Sequence, residues 1–183
     1  MILCSMLFSC SNESTAPLDQ PQIVETGNAI SDHLMKTLGG QLKAALEGGD
    51  PAAAVQFCAQ AAAPLTEQTS TTFANATVTR TSLNYRNPKN RPDETDTAIL
   101  EKWSQLVSEG KALPPHELVS VTGTTTRFYR PIMVQSLCLN CHGDPATFSP
   151  ALTSVLAENY PQDLATGYVE GDLRGAFRVE IAN

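Results

Sequence analysis

At 183 residues the chain is long enough for one domain with a real hydrophobic core. Hydrophobic residues make up 42% and charged residues 17%, an ordinary globular balance, and a net charge of −7 with no basic run excludes a nucleic-acid face. No stretch approaches the ~18 consecutive apolar residues of a membrane span.

In chain order, residues 1–8 are apolar and run through Leu7-Phe8-Ser9-Cys10 into the polar Ser11-Asn12-Glu13-Ser14. This resembles the end of a bacterial lipoprotein signal over residues 1–10, with Cys10 as the lipidated residue, and it predicts export to the periplasm with a lipid tether to a membrane. Residues 11–22 are polar, carry two prolines and read as a tether. From residue 23 to 46, Ile23, Ile30, Leu34, Leu38, Leu42 and Leu46 recur at helical spacing, with Asn28 and Ser31 as candidate caps. Gly48-Gly49 stops this helix. Asp50-Pro51 opens an alanine-rich one, from residue 52 to about 63, which Pro64 ends or kinks.

Residues 76–83 are β-rich and predict a strand; residues 84–93, with Pro88 and Pro92, predict a loop. Ile99, Trp103, Leu106 and Val107 give a helix over 94–109, closed by Gly110. Residues 117–124 and 125–134 read as a hairpin about Gly123, with Pro131 placing the second strand at an edge or a bulge. Residues 143–171 predict loop with one short helix near 151–159. Phe177, Val179 and Ile181 alternate with Arg178 and Glu180, the pattern of a half-buried strand. Strands so closely connected must pair antiparallel, so the expected architecture is α+β: one domain over residues 23–183, its sheet flanked by N-terminal helices and a central helix.

Between hairpin and last strand lies Cys138-Leu139-Asn140-Cys141-His142. Cys-x-x-Cys-His is the pattern of covalent c-type haem attachment: each thiol forms a thioether with one vinyl group, and the adjacent imidazole becomes the proximal iron ligand. A redox Cys-x-x-Cys and part of a zinc site are the competing readings. The rarity of Cys and His in this order favours haem, and the cysteine arithmetic agrees with export. Of five cysteines, Cys4 falls in the signal, Cys10 takes lipid, and Cys138 and Cys141 form thioethers, which leaves Cys58 without a thiol to pair with. Candidates for the second axial position are His33, His116, Met35, Met133 and Cys58; as ordinary residues they would be surface histidines, core methionines and a buried thiol.

Several blocks carry a wider resemblance: Phe57-Cys58 with Ala63-Pro64, Arg86-Asn87-Pro88 with Asn90 and Pro92, Tyr129-Arg130-Pro131-Ile132, residues 138–143, Tyr160-Pro161, Gly167-Tyr168, Gly171-Asp172 and Arg174-Gly175-Ala176. In this order they resemble the bacterial single-haem c-type family with a PAS-like fold, long filed as a domain of unknown function and later described as a haem sensor, over most of residues 23–183. The resemblance implies a PAS-like fold, one covalent haem c, and an iron held by His142 and a distal thiolate at the position of Cys58. Ferric iron would hold that thiol deprotonated, and the thiolate would lower the reduction potential. A thiolate released on reduction would open a position for carbon monoxide or nitric oxide, a bistable element of the kind a sensor uses.

Arginines grip carboxylates in a bidentate manner, so Arg86, Arg91, Arg127 and Arg130 are candidate contacts for the haem propionates, Arg86 and Arg130 foremost; Trp103 and Tyr129 read as packing residues. No nucleophile–base pair, phosphate loop or useful carboxylate pair is present, which points away from an enzyme. The expected function is a periplasmic redox or gas sensor, with a diatomic gas or a redox protein as partner. The alternatives are a mono-haem electron carrier and a zinc protein using Cys58, Cys138, Cys141 and His142, which the adjacency of Cys141 and His142 disfavours.

Overall fold

The computed structural model describes residues 18–182, so the signal at 1–10 with Cys4 and Cys10, and the tether as far as residue 17, lie outside the described residues. Helix α1 spans Gln20–Leu46. It starts earlier than its apolar repeat because Asp19 accepts the Gln22 N–H at 2.9 Å while the Gln22 side chain accepts the Asp19 N–H at 3.0 Å. This reciprocal cap, with Pro21 in the first turn, draws residues 20–22 out of the expected tether. Asn28 and Ser31 therefore lie inside the helix and cap nothing.

Helix α2 spans Pro51–Thr72, capped by Asp50, and it runs on through Pro64 instead of ending there. Proline removes one ladder hydrogen bond. The turns beyond it are held by tertiary contact: Thr69 is buried, and the Ser70 hydroxyl accepts the Val78 N–H at 2.9 Å.

Strands β1 (Ala76–Thr81), β2 (Glu117–Thr122), β3 (Thr125–Met133) and β4 (Leu173–Ala182) form one antiparallel sheet in the order β1-β4-β3-β2. This is the expected α+β architecture. Pro131 thus sits in an interior strand. It is tolerated because β2 pairs no further along β3 than Glu117↔Tyr129, so β3 has an open side at Pro131, and a register shift follows at Ile132/Met133.

Alternation along the strands sorts the core onto two faces. On one, Ile23, Ile30 and Leu34 of α1 pack against Val78, Phe128, Phe177, Val179 and Ile181. Gly27 lets the helix touch the Phe128 ring, where any Cβ would collide. On the other, helix α3 (Glu94–Ser108) packs Ile99, Leu100 and Trp103 against Tyr129 and Ala176. Asp96, fully buried there, accepts the Tyr129 hydroxyl at 2.7 Å and an Arg178 N–H at 2.8 Å.

Helices α4 (Leu139–His142) and α5 (Pro150–Asn159) interrupt the long β3–β4 connection. Two satellite clusters anchor this segment. Ala52 and Val55 of α2 meet Leu152 and Leu156 of α5, and Val134, Ala165 and Tyr168 gather at the end of β3. Among the described residues no helix is long and apolar enough to cross a membrane.

Candidate functional site

The Cys-x-x-Cys-His motif occupies a 3-10 turn, Ser136–Cys138, continued by α4. Helical backbone spaces Cys138 and Cys141 one turn apart, so they lie on neighbouring positions of one surface. Cys138 packs beside Val134, Ala165 and Tyr168, and Cys141 beside the α2–α5 cluster. The turn closes on Gly143, whose N–H donates to Leu139 O at 3.0 Å and where a Cβ would strike that same oxygen.

His142 Nδ1 lies 2.6 Å from the carbonyl oxygen of Ala165. A carbonyl only accepts, so Nδ1 carries the proton and Nε2 keeps its lone pair. Two backbone bonds hold this register: Tyr168 N–H to His142 O at 3.0 Å and Gly167 N–H to Gly143 O at 2.8 Å. The Tyr168 ring stands edge-on to the imidazole at 6.3 Å between centroids. Burial, then the charges of Arg174 and Arg86, push the imidazole well below its ordinary pKa against the pull of the Ala165 carbonyl. A neutral ring with a free Nε2 is the form a metal-binding histidine needs.

Arg86 ties the loops around this ring together. Its Nε donates to Asp163 at 2.9 Å, and an Nη donates to the carbonyls of Cys141 and Ala165. Asp163 in turn accepts the Ala165 N–H at 2.8 Å, and Leu164 N–H reaches Tyr85 O at 3.2 Å.

Cys58 is half-buried on α2. Burial pushes its thiol pKa up, and the charges of Arg80 and Arg86 oppose that. The Cys141 thiol is likewise raised by burial, eased by Arg86 and raised further by Cys58 and Cys138. The fold therefore brings Cys58, Cys138, Cys141, His142 and Arg86 into one neighbourhood, and the three thiols are all free. Among the described residues no three His, Cys, Asp or Glu side chains converge to hold a metal ion unaided, which leaves the zinc reading without a cluster.

The other sequence candidates go elsewhere. Arg130 pairs with Asp32 of α1 at 2.6 Å, and Arg127 with Asp93 and Glu180 at 2.7 and 2.8 Å; Arg91 is exposed. His33 meets Phe73 edge-on and His116 stacks on Phe128. Met35 is exposed, and Met133 lines a separate surface groove with Val107, Leu113 and Pro131.

Two arginines outside those candidates border the site. Arg80 on β1 lies within electrostatic reach of Cys58, Tyr160 and Arg174, and Arg174 within reach of His142. Arg80 could have been found: it follows Ala76 and Val78 on the apolar face of its strand, where a charge is out of place.

Haem c requires two free thiols, an imidazole with an unprotonated nitrogen, an apolar wall and cations for two propionates. The donor set, the α2–α5 cluster behind Cys141 and the arginines fit each requirement.

A family model described as Tll0287-like (Tll0287) matches residues 13–182. Among solved structures, the crystal structure of the cyanobacterial heme-protein Tll0287 shares the fold with a TM-score of 0.65 at 23% identity, over 90% of this chain and 98% of that one. No curated protein matches the chain.

Proposed function

The chain belongs to the Tll0287-like family, and on that premise we propose that it is an exported mono-haem c-type protein, with haem joined to Cys138 and Cys141 and its iron between His142 and Cys58, acting as a redox or gas sensor and not as an enzyme. The observation that carries this reading is the His142–Ala165 contact at 2.6 Å, which leaves Nε2 free beside two unpaired thiols. The related structure is that of a heme-protein, which supports it.

Haem, when bound, supplies a one-electron couple and, if a ligand departs, a position for a diatomic gas. The protein's part is to hold and orient. Arg86, Asp163 and the backbone bonds at Gly167 and Tyr168 fix the imidazole plane and its tautomer. Cys58 comes from a different element, α2, so the two candidate ligands are positioned by separate parts of the fold. Its burial favours the neutral thiol over the thiolate, which suits a ligand that leaves.

The test is maturation in a cell able to assemble c-type cytochromes, followed by acid and detergent denaturation. A Soret band that stays with the polypeptide, and is lost in Cys138→Ala/Cys141→Ala, is the expected result; colourless protein ends the reading. Voltammetry then separates sensor from electron carrier. A low potential with ligand loss on reduction marks the sensor, and a reversible couple with unchanged ligation marks the carrier.

A further inference from the structure

Of the seven arginines Arg91 is exposed, and the other six divide into two groups. Arg86, Arg127, Arg130 and Arg178 each form an ion pair with a carboxylate. Arg80 and Arg174 have no carboxylate within ion-pair distance among the described residues. Arg80 makes one long bond, from an Nη to Ala62 O at 3.4 Å, and its Nε is buried without any partner. Arg174 donates to the Ser82 hydroxyl at 2.9 Å and to Asn84 O at 3.1 Å and lies over the Tyr168 ring at 5.4 Å; these partners are all neutral. The nearby carboxylate, Asp163, is already paired with Arg86.

An enclosed cation without an anion is costly, and two facing each other are more so. The fold nevertheless brings them close. Strands β1 and β4 are drawn together where Gly175, at φ 154°, has no Cβ to strike Thr81 O. Arg80 reaches Ala62 O, one helical turn beyond Cys58 on α2, and Arg174 lies over the Tyr168 ring that stands edge-on to His142; the two arginines also lie within electrostatic reach of each other. The excess positive charge thus lies beside both elements that carry the axial-ligand candidates, and the missing complement is a pair of carboxylates.

We propose that Arg80 and Arg174 form the carboxylate-receiving end of the site and hold the two haem propionates. This assignment rests on the haem reading above. It replaces the sequence candidate Arg130, which is committed to Asp32, and it gives Arg86 a different part, bracing the His142 loop. Guanidinium groups suit this role because their planar donors match a carboxylate two bonds at a time.

The test uses the full-length matured protein with covalent haem. Resonance Raman spectra of the propionate-bending mode are compared for wild type, Arg80→Gln, Arg174→Gln, the double variant and Arg80→Lys. The expected result is a shifted propionate band in each Gln variant, a larger shift in the double variant, and a smaller one in Arg80→Lys, which keeps the charge but loses the fork. A propionate band at the wild-type position in the double variant overturns the proposal. So does a variant whose axial-ligand bands move while the propionate band stays, since Arg80 would then serve Cys58 alone. If the Gln variants fail to mature, an unshifted band in Arg80→Lys overturns it equally. A wild-type polypeptide without a Soret band is a different failure, that of the haem reading itself.

Discussion

Arg86 and His142 donate to the same atom, the carbonyl oxygen of Ala165, at 3.2 and 2.6 Å. The arginine thereby stiffens the acceptor that sets the histidine's tautomer. Its ion pair with Asp163 is largely shielded, with side chains 11% and 12% exposed. Arg86→Met leaves Asp163 without its cation, and about 3 kcal/mol of unfolding free energy should be lost. Denaturant titration of the matured protein measures this. The ferric axial-ligand signals should broaden in parallel, because the imidazole loses its brace.

Cys58→Ser tests the distal ligand. Haem should stay covalently attached, since neither thioether is touched. The ferric spectrum should change and the potential should rise, on the order of 100 mV within the ~0.8 V over which axial ligands tune haem. An unchanged spectrum together with an unchanged potential would remove Cys58 from the ligand set.

Helix α1 offers a paired control on packing. Gly27→Ala drives a methyl into the Phe128 ring and should cost about 1–3 kcal/mol. Gly39→Ala, on the same helix with open space around it, should gain up to about 1 kcal/mol. Urea unfolding of the two variants should therefore move in opposite directions; equal shifts would mean that α1 does not pack on the sheet through Gly27.

Asp93 caps α3 and pairs with Arg127 and Arg178. Burial would raise its pKa, but the Asp96 N–H and then the bond and charge of Arg127, with the charge of Arg178, outweigh it and hold the carboxyl below its ordinary value. A depressed carboxyl stabilises the fold above its unfolded pKa, and that contribution disappears as pH falls through the folded one. Asp93→Asn keeps the cap but removes the charge. It should cost up to about 1 kcal/mol at pH 7, a figure limited by the 45% exposure of the side chain. Stability curves of variant and wild type should converge as pH drops below the usual carboxylate range; a constant gap would rule out the charge as the cause.

Local patterns carried most of the fold into view. The apolar repeat of α1, the Asp50-Pro51 start of α2, the hairpin and the last strand are short-range signals, and they appear where the sequence places them. Pro64 leaves open whether α2 ends or kinks, and the helix runs on because tertiary contacts, such as Ser70 to Val78, of which propensity says nothing, hold the turns beyond it. Pro131 was ambiguous because sequence does not show how far β2 reaches along β3. At the site, the Cys-x-x-Cys-His motif and the leftover Cys58 were visible as chemistry. The division of labour among the arginines was not, because pairs such as Arg130–Asp32 join residues far apart in the chain.

The proline within α2 marks the point where one ladder hydrogen bond is missing and divides that helix into two lengths. The downstream length is moored to the sheet through Ser70, while the upstream length carries Cys58. A sulfur moving away from the His142 loop therefore works against the Ala52 and Val55 contacts to α5, and that packing sets the resistance to its departure.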